Sequence, residues 1–113
     1  MAIKDFIGKW RIYEMEEWEQ DDFDARDKAY IKIGKDKIGE FQFLYLFADI
    51  DSRIVKYPDG EKLEFTWEGE DGCEAASGSG WMKLAGENKA EGEFRIHKGD
   101  SSGFKARRME GRR

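Results

Sequence analysis

The sequence holds a single cysteine, Cys73, in 113 residues. No internal disulfide can form, and small secreted domains ordinarily carry several, so a reducing, cytoplasmic setting is expected. Long apolar runs are missing as well. Met1 to Trp10 already contains Lys4, Asp5 and Lys9, so neither a signal peptide nor a membrane partner is expected. A basic excess is also lacking: the formal net charge is -5. Phosphate contacts need a positive field, which argues against nucleic acid as a partner. His97 is the only histidine, and with Cys73 as its one companion it falls short of a zinc ligand set. No stretch matches the calcium-loop pattern of alternating carboxylates, glycine and a distal glutamate, so no metal or cofactor is expected. Finally, no helical periodicity separates the apolar stretches, which excludes a parallel α/β sheet.

What the chain has instead is charge, aromatic bulk and alternation. Charged residues make up 40% and aromatics 14%, so a short chain can still build a core from a few large rings. Length bounds it to one domain, residues 1–113. Ile3, Phe6 and Ile7 share a face of a short helical turn that Gly8 ends. After it, apolar residues alternate in short runs: Trp10 and Ile12; Ala29, Ile31 and Ile33; Phe41, Phe43, Tyr45 and Phe47; Leu63, Phe65 and Trp67; Met82 and Leu84; Phe94 and Ile96; Phe104 and Ala106. With the return over Arg53 to Tyr57, this makes about eight strands at the spacing of an antiparallel barrel or sandwich. The expected fold class is all-β, an antiparallel up-and-down barrel of about eight strands with a short N-terminal helical turn.

In such a barrel alternate connections lie at opposite ends. Turns near 34–37, 57–60 and 85–88 fall at the base with the N-terminal turn; Pro58-Asp59-Gly60 is a turn by its own chemistry. Connections at 16–27, 48–52, 69–79 and 98–102 read as mostly longer and fall at the mouth, where barrels commonly bind. The mouth so defined is acidic. The first 71 residues carry 19 acids against 11 bases, while 72–113 carry 9 bases against 6 acids. Trp18, Asp21, Asp22, Trp67, Asp71, Trp81, His97 and Asp100 are the candidate ligand-binding residues, because an aromatic among carboxylates recognises a cation by stacking and charge together.

Gly8-Lys9-Trp10 at the start of the first strand, the turn before it, the eight-strand layout and an arginine on the last strand resemble the calycin group of lipocalin-like and avidin-like barrels. The resemblance implies a base built from Gly8, Trp10 and Arg108, with that arginine packed across the tryptophan and Arg107 second in line. The runs Gly8 to Ile12, Phe65 to Gly69 and His97 to Phe104 also resemble small bacterial proteins, which implies a bacterial, cytoplasmic origin and no particular activity.

Binding is expected over catalysis: a small molecule or cation at an acidic, aromatic-lined mouth. The alternative is a protein–protein module acting as a homodimer through Tyr13, Met15, Tyr30 and Trp81. A hydrolase would pair His97 with Asp100 and with Ser101 or Ser102 as nucleophile, but residues this close along a loop more often bond each other and backbone amides.

Overall fold

The computed structural model describes residues 5–109. Eight strands close one antiparallel barrel in chain order: β1 (Gly8–Met15), β2 (Tyr30–Ile33), β3 (Ile38–Phe43), β4 (Leu46–Tyr57), β5 (Gly60–Asp71), β6 (Glu74–Leu84), β7 (Lys89–Ile96) and β8 (Ser101–Arg108). A single helical turn, α1 (Gln20–Phe23), lies between β1 and β2. Closure comes from β8 pairing with β1, Trp10 opposite Arg108 and Met15 opposite Phe104, with a register shift between Ile12 and Glu14. The up-and-down barrel expected from the alternation is the fold found.

Alternation decides what fills it. Phe41, Phe43, Phe65, Trp67, Phe94 and Phe104 all point inward and are buried. Phe94 is the hub, with ring centroids 4.7 Å from Phe41 and Phe43, 5.8 Å from Phe65 and 4.6 Å from Phe104. Such tilted ring pairs add to the stabilisation from area burial. The bore is therefore solid with side chains, as small eight-stranded barrels permit.

At the base, Trp10 donates its indole N–H to the Phe6 carbonyl at 3.0 Å. The Arg108 guanidinium lies 4.3 Å from the centre of the Trp10 ring and donates to the carbonyls of Ile7 and Asp5 at 2.7 and 2.8 Å. Gly8 has φ +127° there. The N-terminal turn is described only from Asp5 onward; Ile3, assigned to its apolar face, lies outside the described residues.

Two connections at the other end differ from what the sequence suggests. The chain turns at Leu44-Tyr45, with Phe43 paired to Leu46, so the stretch 48–52, expected as a turn, is the middle of β4. The stretch 69–79, expected as a loop, is strand on both sides of a two-residue hairpin, Gly72-Cys73. Gly72 has φ +67°, the left-handed conformation such tight hairpins need. Of the four connections at this end, only the one between β1 and β2 is long.

That long connection is fastened to the barrel wall. Arg11 on β1 grips Asp24, just after α1, through two hydrogen bonds of 2.7 Å each, and Asp24 also accepts the Ala29 N–H at 2.8 Å. The hydrogen bonds from Arg11 hold the Asp24 carboxyl at about 2, below the ordinary 3.8, against the opposing effect of burial. A carboxyl depressed in the folded state stabilises the fold above its unfolded pKa and loses that contribution as pH falls through the folded value. Asp24→Asn is thus expected to unfold at lower urea than the wild type above about pH 4, with the gap closing as pH falls through about 2. Urea midpoints measured across that range would check this; a gap that stays constant into strong acid would refute the assignment.

Candidate functional site

The end bearing the long connection is capped. Phe23 of α1 is buried, and its carbonyl accepts the Leu44 N–H at 2.9 Å. Trp18 lies with its ring 5.7 Å from Phe43. Both rings pin the segment onto the barrel end, over a bore already filled by phenylalanines. Asp21 and Asp22 stand exposed in the first turn of α1, Asp71 ends β5, and Asp100 sits in the turn from β7 to β8. These acids ring the end.

The concavity of interest lies elsewhere, on the outer wall. The outward residues of β4 to β7 form a trough of about 900 Å³. Its floor is short: Thr66 on β5, Ser77 and Ser79 on β6. One wall carries Asp49 and Asp51 from β4 with Glu68 beside them; the other carries Arg95 of β7 with His97 and Lys98 of the following turn. A second depression of about 530 Å³ continues it, sharing Asp51, Thr66, Ser79 and Arg95 and reaching Arg53, Glu64, Trp81 and Glu93.

The strand register explains this layout. Asp51 pairs with Thr66, Thr66 with Ser79, and Ser79 with Arg95, one row across four strands. The next row runs Asp49, Glu68, Ser77 and ends at His97, whose backbone N–H donates to the Ser77 carbonyl at 2.8 Å. Across three strand intervals the acidic and basic ends of a row stand roughly 14 Å apart. None of Asp49, Asp51, Glu68, Arg95 or Lys98 makes a salt bridge within 4.0 Å among the described residues; those found join Arg11 to Asp24, Arg53 to Glu64, Lys83 to Glu91 and Lys105 to Glu14. Asp49 and Glu68 stand directly opposite each other, an unfavourable cross-strand pair of like charges.

The low floor has a cause inside the barrel. A Cβ on Gly78 would come within 2.7 Å of the Trp67 ring, and one on Gly80 within 2.6 Å of Phe65. β6 therefore lies tight against the core rings, and the outward residues flanking Gly78 are the short Ser77 and Ser79.

Of the candidate ligand-binding residues named from the sequence, Trp67 and His97 meet at this trough and Trp81 borders its continuation. Trp67 points inward, donating its indole N–H to the Ser79 carbonyl at 3.3 Å. Trp18, Asp21, Asp22, Asp71 and Asp100 stay at the capped end. Asp49 and Asp51, expected among the acids of the mouth, and Thr66 and Arg95, out of phase with their aromatic neighbours, line the trough together with Ser77 and Ser79, which the sequence does not single out. The out-of-phase polar residues of β5 and β7 are the available signal, but recognising them needs the pairing register. Of the two serines that a hydrolase reading names beside His97 and Asp100, Ser102 is buried and its hydroxyl is engaged with the Glu17 N–H and the Gly103 carbonyl, while Ser101 is exposed. No group of three or more histidine, cysteine or carboxylate side chains among the described residues is arranged to hold a metal, and no described helix is long and apolar enough to cross a membrane.

No protein-family model matches the chain, no curated protein is significantly similar to it, and no solved structure matches it.

Proposed function

We propose that this protein is a non-catalytic protein-recognition module that binds a polypeptide of mixed charge on its outer wall. The observation that carries this reading is the trough between β4 and β7, with carboxylates free of salt bridges on one side and such cations on the other. Small-molecule sites are enclosed and mostly apolar, with a few polar groups fixing orientation. The trough is open and lined by hydroxyls and charges, while the bore is occupied by the packed rings around Phe94. A partner that presents a cation to Asp49, Asp51 and Glu68 and an anion to Arg95 and Lys98 satisfies both walls at once. Charge arranged this way selects partner and orientation more than it adds affinity.

The test is an amide-detected NMR titration with three peptides of equal length: alternating Lys and Glu, all Lys, and all Glu. The alternating peptide is expected to shift the amides of Thr66, Ser77, Ser79 and Arg95 more than either single-sign peptide. Shifts confined to residues 16–29 and 99–101, or no preference for mixed charge in a sample shown to be monomeric, would overturn the reading.

A further inference from the structure

The outer rows are not merely dipolar; they are complementary to themselves. One row begins at Asp51 and ends at Arg95. The row beside it begins at Arg53, passes Glu64 and Trp81, and ends at Glu93. On the other side, Asp49 begins the row that ends beside His97. Reading along β4 the signs are minus, minus, plus. At the other end of the same rows stand His97, just past β7, then Arg95, plus, and Glu93, minus. The rows Asp51 to Arg95 and Arg53 to Glu93 thus carry opposite charges at their two ends, and the second of these is reversed relative to the first.

From this pattern we infer that the trough's partner is a second copy of this chain, docked face to face about a two-fold axis running along the seam between β5 and β6. This rests on the reading of the trough as a protein-recognition surface and names its occupant. A two-fold axis in the plane between the copies lays each row on the same row of the second copy, reversed. Asp51 then faces Arg95 of the second copy, Arg53 faces Glu93, and Asp49 faces His97, each contact occurring twice. This is the isologous arrangement that closed dimers use. Within one copy these ends stand roughly 14 Å apart and cannot pair. Arg53 has only a loose 3.8 Å contact to Glu64, with its side chain 76% exposed, so it can reach across. In the Asp51–Arg95 row the short Thr66 and Ser79 leave the longer side chains at its two ends free to meet. Ile38, 49% exposed and opposite Asp51 on β3, extends the face with apolar area at its edge.

Analytical ultracentrifugation tests this with the full chain. The wild type is expected to sediment as a dimer at low salt and to dissociate as salt rises from about 10 mM to about 500 mM, its dimer affinity falling at least about tenfold because exposed pairs are screened. Asp51→Arg and Arg95→Asp are each expected to be monomeric. Mixed in equal amounts they are expected to form a heterodimer, since the new cation of one faces the new carboxylate of the other and the native pair is kept on the opposite side. The double variant on one chain is expected to dimerise with itself. The mixture also separates a lost interface from a lost fold, because a misfolded single variant would not be rescued by its complement. A wild type that stays monomeric at low salt, or single variants that dimerise like the wild type, overturns the inference. A monomeric wild type that still binds the alternating peptide at the trough removes only the second copy as occupant; one that binds neither removes the recognition surface as well.

Discussion

Phe94→Ala is expected to cost about 3–5 kcal/mol of stability, the range for truncating a fully buried phenylalanine. The residue is 1% exposed and its ring is the common neighbour of Phe41, Phe43, Phe65 and Phe104. Removing it opens a void at the centre of the bore, where four rings from β3, β5 and β8 lose a packing face. Each is fixed to a strand of a closed sheet, so the hole cannot collapse as one beneath a mobile loop would. Against a total of about 5–15 kcal/mol, this loss is a large fraction. Urea unfolding followed by far-UV circular dichroism measures it directly. Phe47→Ala supplies the comparison: Phe47 is 43% exposed on the outer face of β4, and its truncation is expected to stay within about 0.5 kcal/mol. Equal losses for the two would mean that the bore is not packed as described.

The contrast between Phe94 and Phe47 also shows which parts of the fold are legible in the sequence. Strand number and phase are, because bulky rings at every second position dictate one inward face, and a polar outer face follows. The base is legible from Gly8 and Trp10. The turn at Leu44-Tyr45 is not. Phe41 to Phe47 alternates without a break, and nothing in Phe-Leu-Tyr-Leu carries turn chemistry. Leu44 nevertheless holds φ +56°, and its N–H is taken by the Phe23 carbonyl of the capping segment. A contact from a segment distant along the chain stabilises a turn that local preference disfavours, so no local reading can find it. The misplaced turn at 48–52 follows from this, since Asp49-Ile50-Asp51-Ser52 has the composition of a turn while its register places it in the middle of β4. Those same two aspartates are thereby assigned to the wrong part of the barrel. They read as part of a mouth loop when they line the outer wall beside Thr66 and Glu68.

The trough itself is illegible for a different reason. Its walls come from β4 and β7, which are not neighbours in the barrel, and its floor from the two strands between them. Only the pairing of Asp51 with Thr66, Ser79 and Arg95 reveals that acids and bases face each other over hydroxyls. Composition does carry a trace of it, in the acidic bias of the first 71 residues and the basic bias of the rest. At the capped end the aromatic and acidic residues of 16–27 take different places. Trp18 and Phe23 cover Phe43 and Leu44, and the carboxylates of Asp21 and Asp22 stand in solvent around them.

Gly78→Val is expected to cost about 3 kcal/mol or more, at or beyond the upper end for overpacking a well-filled site. A Cβ at position 78 would lie 1.9 Å from the Arg95 carbonyl oxygen and 2.7 Å from Trp67 Cζ2. Neither neighbour can give way cheaply. The Arg95 carbonyl belongs to β7, which Gly78 and Ser79 pair with directly. Trp67 is held edge-on to Phe41 at 5.2 Å and by its indole N–H on the Ser79 carbonyl. Relief therefore requires β6 to lift outward, which breaks that indole bond and raises Ser77 and Ser79 from the floor of the trough. The same substitution should then do two things together: lower the urea midpoint, and shift the tryptophan emission as Trp67 loses its partner and gains solvent. It should also weaken the association assigned to the outer wall, at protein concentrations where the variant is still folded. Destabilisation with unchanged emission would place the strain in the β6–β7 pairing alone. A wild-type midpoint with wild-type emission would show that β6 does not lie against the Trp67 ring, and with that the explanation for the shallow floor would fall.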